Sequence, residues 1–210
     1  MTHTAANPAP DRHARRRART RAKLVAAARE LFAAQGVDAT TIAEIAERAD
    51  TAHGSFYNHF STKDEILAAV FEDTLTDQLR RLEARRDGIT DVAERVAVAH
   101  RHLLAAVRAD PEWGWLLVRL PLPHPIIATV LGDDAGADLE EGLTAGRFAV
   151  DDPVVALHAM GGALLGIMVL ILETGAGPTA DEAHAAGVLR SLGLPVPEAA
   201  AIAARPLPGH

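Results

Sequence analysis

Between His53 and Lys63 the chain gathers side chains that hydrogen-bond rather than carry charge: His53, Ser55, Tyr57, Asn58 and His59, with one ammonium at Lys63. Phenol and imidazole groups donate to phosphate oxygens. An ammonium beside the start of a following helix adds a point charge where free amides and the dipole already favour anions. This is chemistry for gripping a nucleic-acid backbone. Gly54 fits it, because glycine in a helix costs about 1 kcal/mol relative to alanine and so marks a place where something approaches the backbone closely. No Lys or Arg stands between Arg48 and Lys63, so this segment offers no bidentate arginine contact to guanine. Base reading must rest on weaker contacts.

The rest of the chain offers little for catalysis. His100 and His102 are two apart and fall on different sides of a helix, while His124, His158 and His184 are isolated, so no metal-ligand spacing arises. Cysteine is absent, which excludes disulfides, thiolate chemistry and Cys-based metal sites and agrees with a cytoplasmic location. No Ser, Lys or carboxylate stands in a nucleophile motif. The sequence therefore implies no catalytic residue, no metal and no cofactor, and a small helical enzyme remains an alternative without chemistry to support it.

The polar cluster needs a scaffold, and the preceding residues supply one. Thr41 and Glu44 form a capping box that starts a helix at Ile42, and Ile42, Ile45, Ala46 and Ala49 follow as one apolar stripe. Asp50-Thr51-Ala52 interrupts the pattern with residues that bond to turn backbone. A second helix over about Ala52–His59 then carries Phe56 and Phe60, four apart, on one side and the polar residues on the other. Two short helices can simply be part of a bundle with solvated Tyr and His on its surface; the spacing of Gly54, Tyr57, His59 and Lys63 favours DNA.

The run T-x-I-A-E-I-A-x-x-A, three turn residues, H-G-S-F-Y-N-H-F and S-T-K-D-E-I-L resembles the N-terminal DNA-binding domain of the TetR family of bacterial transcriptional regulators. The resemblance covers about residues 20–70, with Gly54, Tyr57, His59, Phe60 and Lys63 at the most typical spacing. It implies that Thr41, Ser55 and Asn58 also touch phosphates and that Ala52, His53, Gly54 and Tyr57 meet base edges. Three positions depart from the pattern: Asp50 stands where the family usually has Gly, Thr51 where it has an apolar residue, and Ala52 where it has Ser or Thr. Asp tolerates a left-handed turn, and the capping role missing at Ala52 is expected to pass to Thr51.

Upstream, the first 23 residues hold seven Lys/Arg against Asp11 alone, a local net charge of 7 − 1 = +6. The opening MTHTAANPAPD has no apolar period, so residues 1–19 read as a flexible basic arm that orders against phosphates; the plainer reading is a solvated tail. No signal peptide is present, since Leu24, Ala28, Leu31 and Phe32 form an amphipathic helix ending at Gly36. The net charge of −7 is segregated: residues 1–65 carry 10 − 8 = +2, and residues 66–210 carry 11 − 20 = −9. Opposite signs fit one end facing DNA and the rest held away from it.

The remainder reads as helix throughout, so the fold class is all-α. The domains are a three-helix helix-turn-helix unit at 20–65, a helical effector-binding and dimerisation unit at 66–194, and a loose Pro/Ala-rich tail at 195–210. A connecting helix starts at Ser61-Thr62 and projects Ile66, Leu67, Val70, Phe71, Leu75, Leu79 and Leu82. Another runs over about Thr90–Ala109, and Pro121, Pro123 and Pro125 break the chain before a helix resumes near Ile126. Asp152-Pro153 opens an apolar run to Leu172 that is long enough for a membrane span. Acidic flanks and the missing aromatic belt favour instead a helix buried on every side. Thr179 and Glu182 form a capping box for a last helix that stops at Gly193.

The family resemblance implies an effector cavity lined by His100, Trp113, Trp115, Arg119, Phe148, Met160 and Met168. It also implies a homodimer through the last helix pair, at Gly162, Leu165, Gly166, Val169, Val188 and Leu192. Its partners would be an inverted-repeat DNA operator, a small-molecule effector and a second copy, with no membrane. The function implied is a ligand-responsive repressor.

Overall fold

The computed structural model describes residues 12–120 and 133–209, without side chains at 73–76 and 133. The expectations for the opening 11 residues, for the prolines after Leu120 and for His124 fall outside these residues. Ten helices are described: α1 (Arg12–Gln35), α2 (Ile42–Arg48), α3 (His53–Tyr57), α4 (Lys63–Arg86), α5 (Val92–Ala109), α6 (Pro111–Val118), α7 (Asp133–Thr144), α8 (Pro153–Thr174), α9 (Pro178–Ser191) and α10 (Val196–Ala203). No strand occurs among the described residues, so the all-α reading holds.

The chain divides into two compact units, 1–70 and 71–210, and α4 runs through the boundary as one helix. In the first unit Leu24, Ala28 and Phe32 of α1, Ile45 and Ala46 of α2, and Phe56 and Phe60 bury the predicted apolar stripes. Glu30 and Arg48 tie α1 to α2, with Nη2 to Oε2 at 2.5 Å. In the second unit α5 is central and packs against α6, α7, α8, α9 and α10. Of its 18 residues, 12 are buried, including His100, Arg101 and His102.

Several local expectations change. The flexible arm predicted for residues 1–19 is helical from Arg12, because α1 continues for three turns upstream of its first buried residue, Leu24. The tail at 195–210 is not loose, since α10 buries Ala199, Ile202 and Ala203 against α5 and α9. Gly177 caps α9 and Pro178 occupies its first turn, so the helix begins before Thr179 and the Thr179–Glu182 box does not form.

The apolar helix α8 differs most. Asp152 caps it as predicted, accepting from the amides of Val154 and Val155 at 2.9 and 3.1 Å. It is not buried on every side, because one chain covers only the stripe Met160, Leu164, Met168 and Ile171. The opposite face, with Val155, Ala159, Gly162, Ala163, Gly166 and Leu170, is open, and α8 is long and apolar enough to cross a membrane.

Candidate nucleic-acid interface

The turn between α2 and α3 follows from Asp50. Thr41 Oγ1 accepts from the Glu44 amide at 3.2 Å while Glu44 Oε2 accepts from the Thr41 amide at 2.7 Å, so the predicted capping box sets the start of α2. That bonding also holds the Glu44 carboxyl below its usual range. At the other end Asp50 adopts φ 52°, the left-handed conformation usually left to glycine. Its amide donates to the Glu47 carbonyl, and the Thr51 amide donates to the Ala46 carbonyl at 3.0 Å. This pair of backward bonds closes a helix end around a left-handed residue. The Thr51 hydroxyl turns the same way and donates to the Ala46 carbonyl, so it does not cap α3; Ala52 is the cap residue and no side chain bonds there.

The helix α3 spans His53–Tyr57, shorter at both ends than the expected Ala52–His59. Phe56 is fully buried and stacks at 5.7 Å, ring centre to ring centre, on Phe60. Ala52, His53, Gly54, Tyr57 and Asn58 are exposed, while Ser55 and His59 are half-buried. Tyr57 is 54% exposed, with His53 edge-on to its ring at 5.6 Å. Around Gly54 an added Cβ would meet nothing within 4 Å, so the space above its backbone is open to a partner.

One side chain behaves differently from expectation. Lys63 does not project as a free phosphate-binding cation. Its ammonium donates to the carbonyls of Val37 at 2.6 Å and Thr40 at 3.1 Å, fastening the start of α4 to the α1–α2 connection, whose orphan carbonyls need a donor. His59 is held below the usual imidazole range by burial and by the nearby Arg17 and Arg21, so it is neutral at pH 7. The sequence counted those two arginines only in the basic N-terminal segment, whereas the structure turns them onto the end of α3: Arg17 donates to the Asn58 carbonyl at 3.4 Å, and the Arg21 guanidinium lies 5.1 Å from the Phe60 ring centre. Only the helical state of α1 brings them there.

The proposed effector residues fall in different surroundings. Phe148 and Met160 belong to one apolar core with Val92, Val96, Leu139, Leu189 and Ile202. Phe148 lies against Gly142 so closely that a Cβ there would come within 2.0 Å of its ring, which is why that position carries glycine. Met168 is buried eight residues further along the same stripe of α8. Trp113 is 1% exposed, and its indole N–H has no hydrogen-bond partner among the described residues. Trp115 lies on the other side of α6 under Arg119, whose guanidinium is 4.4 Å from the ring centre.

His184 on α9 is paired rather than isolated: its Nε2 lies 2.9 Å from His100 Nδ1. Burial together with the neighbouring His184 lowers the His100 imidazole to about 3, and burial lowers His184 to about 4. No group of three or more metal-ligating side chains occurs among the described residues.

A buried ionic cluster also went unforeseen. Asp138 on α7 receives Arg86 of α4 at 2.7 Å and Arg95 of α5 at 3.0 Å, and Arg95 also meets Glu141. Burial raises the Asp138 carboxyl despite both cations. Its members lie on three helices far apart in sequence, so no local pattern marks them.

For the dimer residues, Gly162 and Gly166 are exposed and Leu165 and Val169 are half-buried on the open side of α8. Val188 and Leu192 are 4% and 0% exposed within their own chain, so they are core residues and present nothing to a partner.

Comparison with known proteins agrees with this architecture. Residues 24–70 match the family described as bacterial regulatory proteins, tetR family, and residues 91–205 match the tetracyclin repressor-like C-terminal domain. An HTH-type transcriptional repressor of Mycobacterium tuberculosis is 34% identical over 110 residues, 52% of this chain and 56% of that protein. The repressor KstR2 of Mycolicibacterium smegmatis is 31% identical over 99 residues, 43% of this chain and 48% of that one. The chain spans about half the length of the curated relatives it matches. Among solved structures, RolR in complex with resorcinol is 37% identical, with a TM-score of 0.71 over 93% of this chain and 98% of that one. FadR of Bacillus subtilis in complex with stearoyl-CoA, 18% identical at a TM-score of 0.61 over 81% and 96%, shares the fold. With both halves matched over most of its length, the chain belongs to the TetR family of bacterial transcriptional regulators.

Proposed function

We propose that this chain is a ligand-responsive transcriptional regulator acting as a cytoplasmic homodimeric repressor on an inverted-repeat operator. The observation that carries the reading is α3, a helix anchored by buried Phe56 and Phe60 that turns His53, Gly54, Tyr57 and Asn58 outward. Tyr57 and Asn58 supply phosphate donors and Ser55 adds a hydroxyl on the same helix, whereas the Thr41 hydroxyl already donates to Glu44 Oε2 at 2.8 Å; His53 with the open backbone at Gly54 faces base edges. The half-buried His59 is neutral and keeps one ring N–H for a phosphate oxygen, while Lys63 acts differently and holds α4 to the α1–α2 connection.

The open apolar face of α8 is assigned to the second copy. Gly162 and Gly166, with no obstruction at either Cβ position, let a symmetry-related helix approach closely, and Leu165, Val169 and Leu170 flank them. On α9, which packs against α8, Ala183 is exposed and Gly187 half-buried. A membrane would cover the same face of α8. Fractionation decides between them: a dimer stays in the soluble extract, whereas recovery with membranes would contradict this assignment.

For the effector we favour a small hydroxylated aromatic molecule. RolR, 37% identical over nearly the whole chain, is described with resorcinol, and here the buried Trp113 N–H has no acceptor among the described residues. Differential affinity of such a ligand for the conformation that does not bind DNA would release the operator by linkage, with the continuous α4 as the connecting element. Titrating resorcinol and phenol into the protein–DNA complex tests this: micromolar release supports it, and indifference to both at millimolar concentration rejects the ligand class.

A further inference from the structure

The opening of α1 is a helix that its own charges oppose. From Arg12 to Lys23 it carries seven cations and no acid, and every residue from Arg12 to Arg19 is exposed. Its first turn holds no carboxylate to complement the helix dipole, and cations there are unfavourable. Arg12 with Arg15 and Arg16, Arg15 and Arg16 with Arg19, and Arg17 with Arg21 are like-charge pairs three or four apart, each of which destabilises the helix. Packing does not offset this, since the buried stripe begins only at Leu24. A polyanion alongside would.

The cations are also sorted by face. Arg12, Arg15, Arg16, Arg19 and Lys23 follow at helical spacing along one side, and among the described residues none of the four arginines meets a carboxylate. Lys23 has only Asp50, at 3.8 Å. Arg17 and Arg21 point the other way, to the Asn58 carbonyl and the Phe60 ring at the end of α3. Arg17 and Arg21 thus fasten this segment beside the exit of the recognition helix, and the bar presents its cations over about 18 Å of α1, twelve residues at 1.5 Å each.

We propose that Arg12, Arg15, Arg16 and Arg19 form a second DNA-contacting surface, a basic helical bar that grips phosphates flanking the site faced by α3 and is itself stabilised by them. This rests on the DNA-binding function proposed above and adds to it a contact without sequence preference. Arg17 and Arg21 hold the bar in register with α3. An acidic protein or an anionic membrane would satisfy the same charges. DNA is the occupant indicated because Arg17 and Arg21 fasten the bar's helix to the end of the helix already assigned to DNA.

The test uses the full chain and a variant with Arg12→Gln, Arg15→Gln, Arg16→Gln and Arg19→Gln. Affinity is measured from 50 to 300 mM KCl for the DNA upstream of its own gene and for an unrelated duplex of equal length. Each phosphate contact contributes about 0.9 to the slope of log affinity on log salt, so loss of four contacts reduces the slope by about 3 to 4. Affinity for both duplexes should fall by the same factor, roughly tenfold or more at 150 mM, leaving their ratio unchanged. Helical circular dichroism of the unaltered chain should rise on adding either duplex. An unchanged slope in a variant that still binds the upstream DNA overturns the bar alone. Tighter binding of the unaltered chain to phosphatidylglycerol vesicles than to the duplexes overturns its assignment to DNA. Absence of binding by the unaltered chain to any duplex removes the DNA-binding function as well.

Discussion

Lys63 and Tyr57 separate two roles that look alike in the sequence. Both are polar residues at family spacing in one segment, yet Lys63 is committed to the Val37 and Thr40 carbonyls while Tyr57 is free at the surface. Lys63→Met should therefore destabilise the N-terminal unit by about 1.5–3 kcal/mol, seen as a lower denaturation midpoint. Tyr57→Ala should leave stability within about 0.5 kcal/mol and reduce DNA affinity instead. A long flexible ammonium reaches either way, so its side-chain type could not reveal the choice; an aromatic with no stripe to join could only face outward.

The His100–His184 pair makes a pH prediction. Both imidazoles are lowered in the folded chain, to about 3 and about 4, so both are neutral there while unfolded histidines still titrate near pH 6.5. As pH falls below about 6.5 the unfolded state takes up protons that the folded state refuses, and stability present above that pH is lost towards pH 4. Thermal melts from pH 7 to pH 4.5 should show the midpoint falling, and His100→Gln with His184→Gln should flatten that fall. Equal pH dependence in the double variant would remove the pair as its origin.

At the scale of elements, the turn between α2 and α3 shows how far local chemistry reaches. Glycine punctuation, the Thr41–Glu44 box and the 3.6-residue stripes of α1, α2 and α3 were legible because each depends on neighbours in sequence. The left-handed Asp50 was legible for the same reason. Asp50→Gly should stabilise the N-terminal unit by about 1 kcal/mol, because glycine adopts φ 52° without the Cβ clash. Destabilisation would mean that the Asp50 carboxylate contributes more than its exposed, 3.8 Å approach to Lys23 implies. What local pattern hid was tertiary: Asp138 beneath Arg86 and Arg95, His100 against His184, and the two faces of α8. The last 16 residues were misjudged because Pro195 and Pro197 read as breakers. Pro195 precedes α10 and Pro197 lies in its first turn, where proline is tolerated.

For the whole molecule, the unpartnered face of α8 and the segregated charge lead to one assembly. Gly162→Phe meets no atom within 4 Å of the new Cβ in the single chain, so folding should survive. In sedimentation the dimer should give way to monomer, since the bulky ring blocks close helix approach; an unaltered dimer would place the interface elsewhere. The acidic second unit, with a net −9 over residues 66–210, leaves the first unit as the end that meets a polyanion. The central claim, that α3 is the reading surface, is tested most directly by a mobility-shift titration of the chain and Tyr57→Ala on the DNA upstream of its own gene, at 50 and 200 mM salt. A salt-weakened shift that Tyr57→Ala loses, with unchanged folding by circular dichroism, is the outcome predicted here. Binding by Tyr57→Ala indistinguishable from the unaltered chain, or no shift by either, would contradict it.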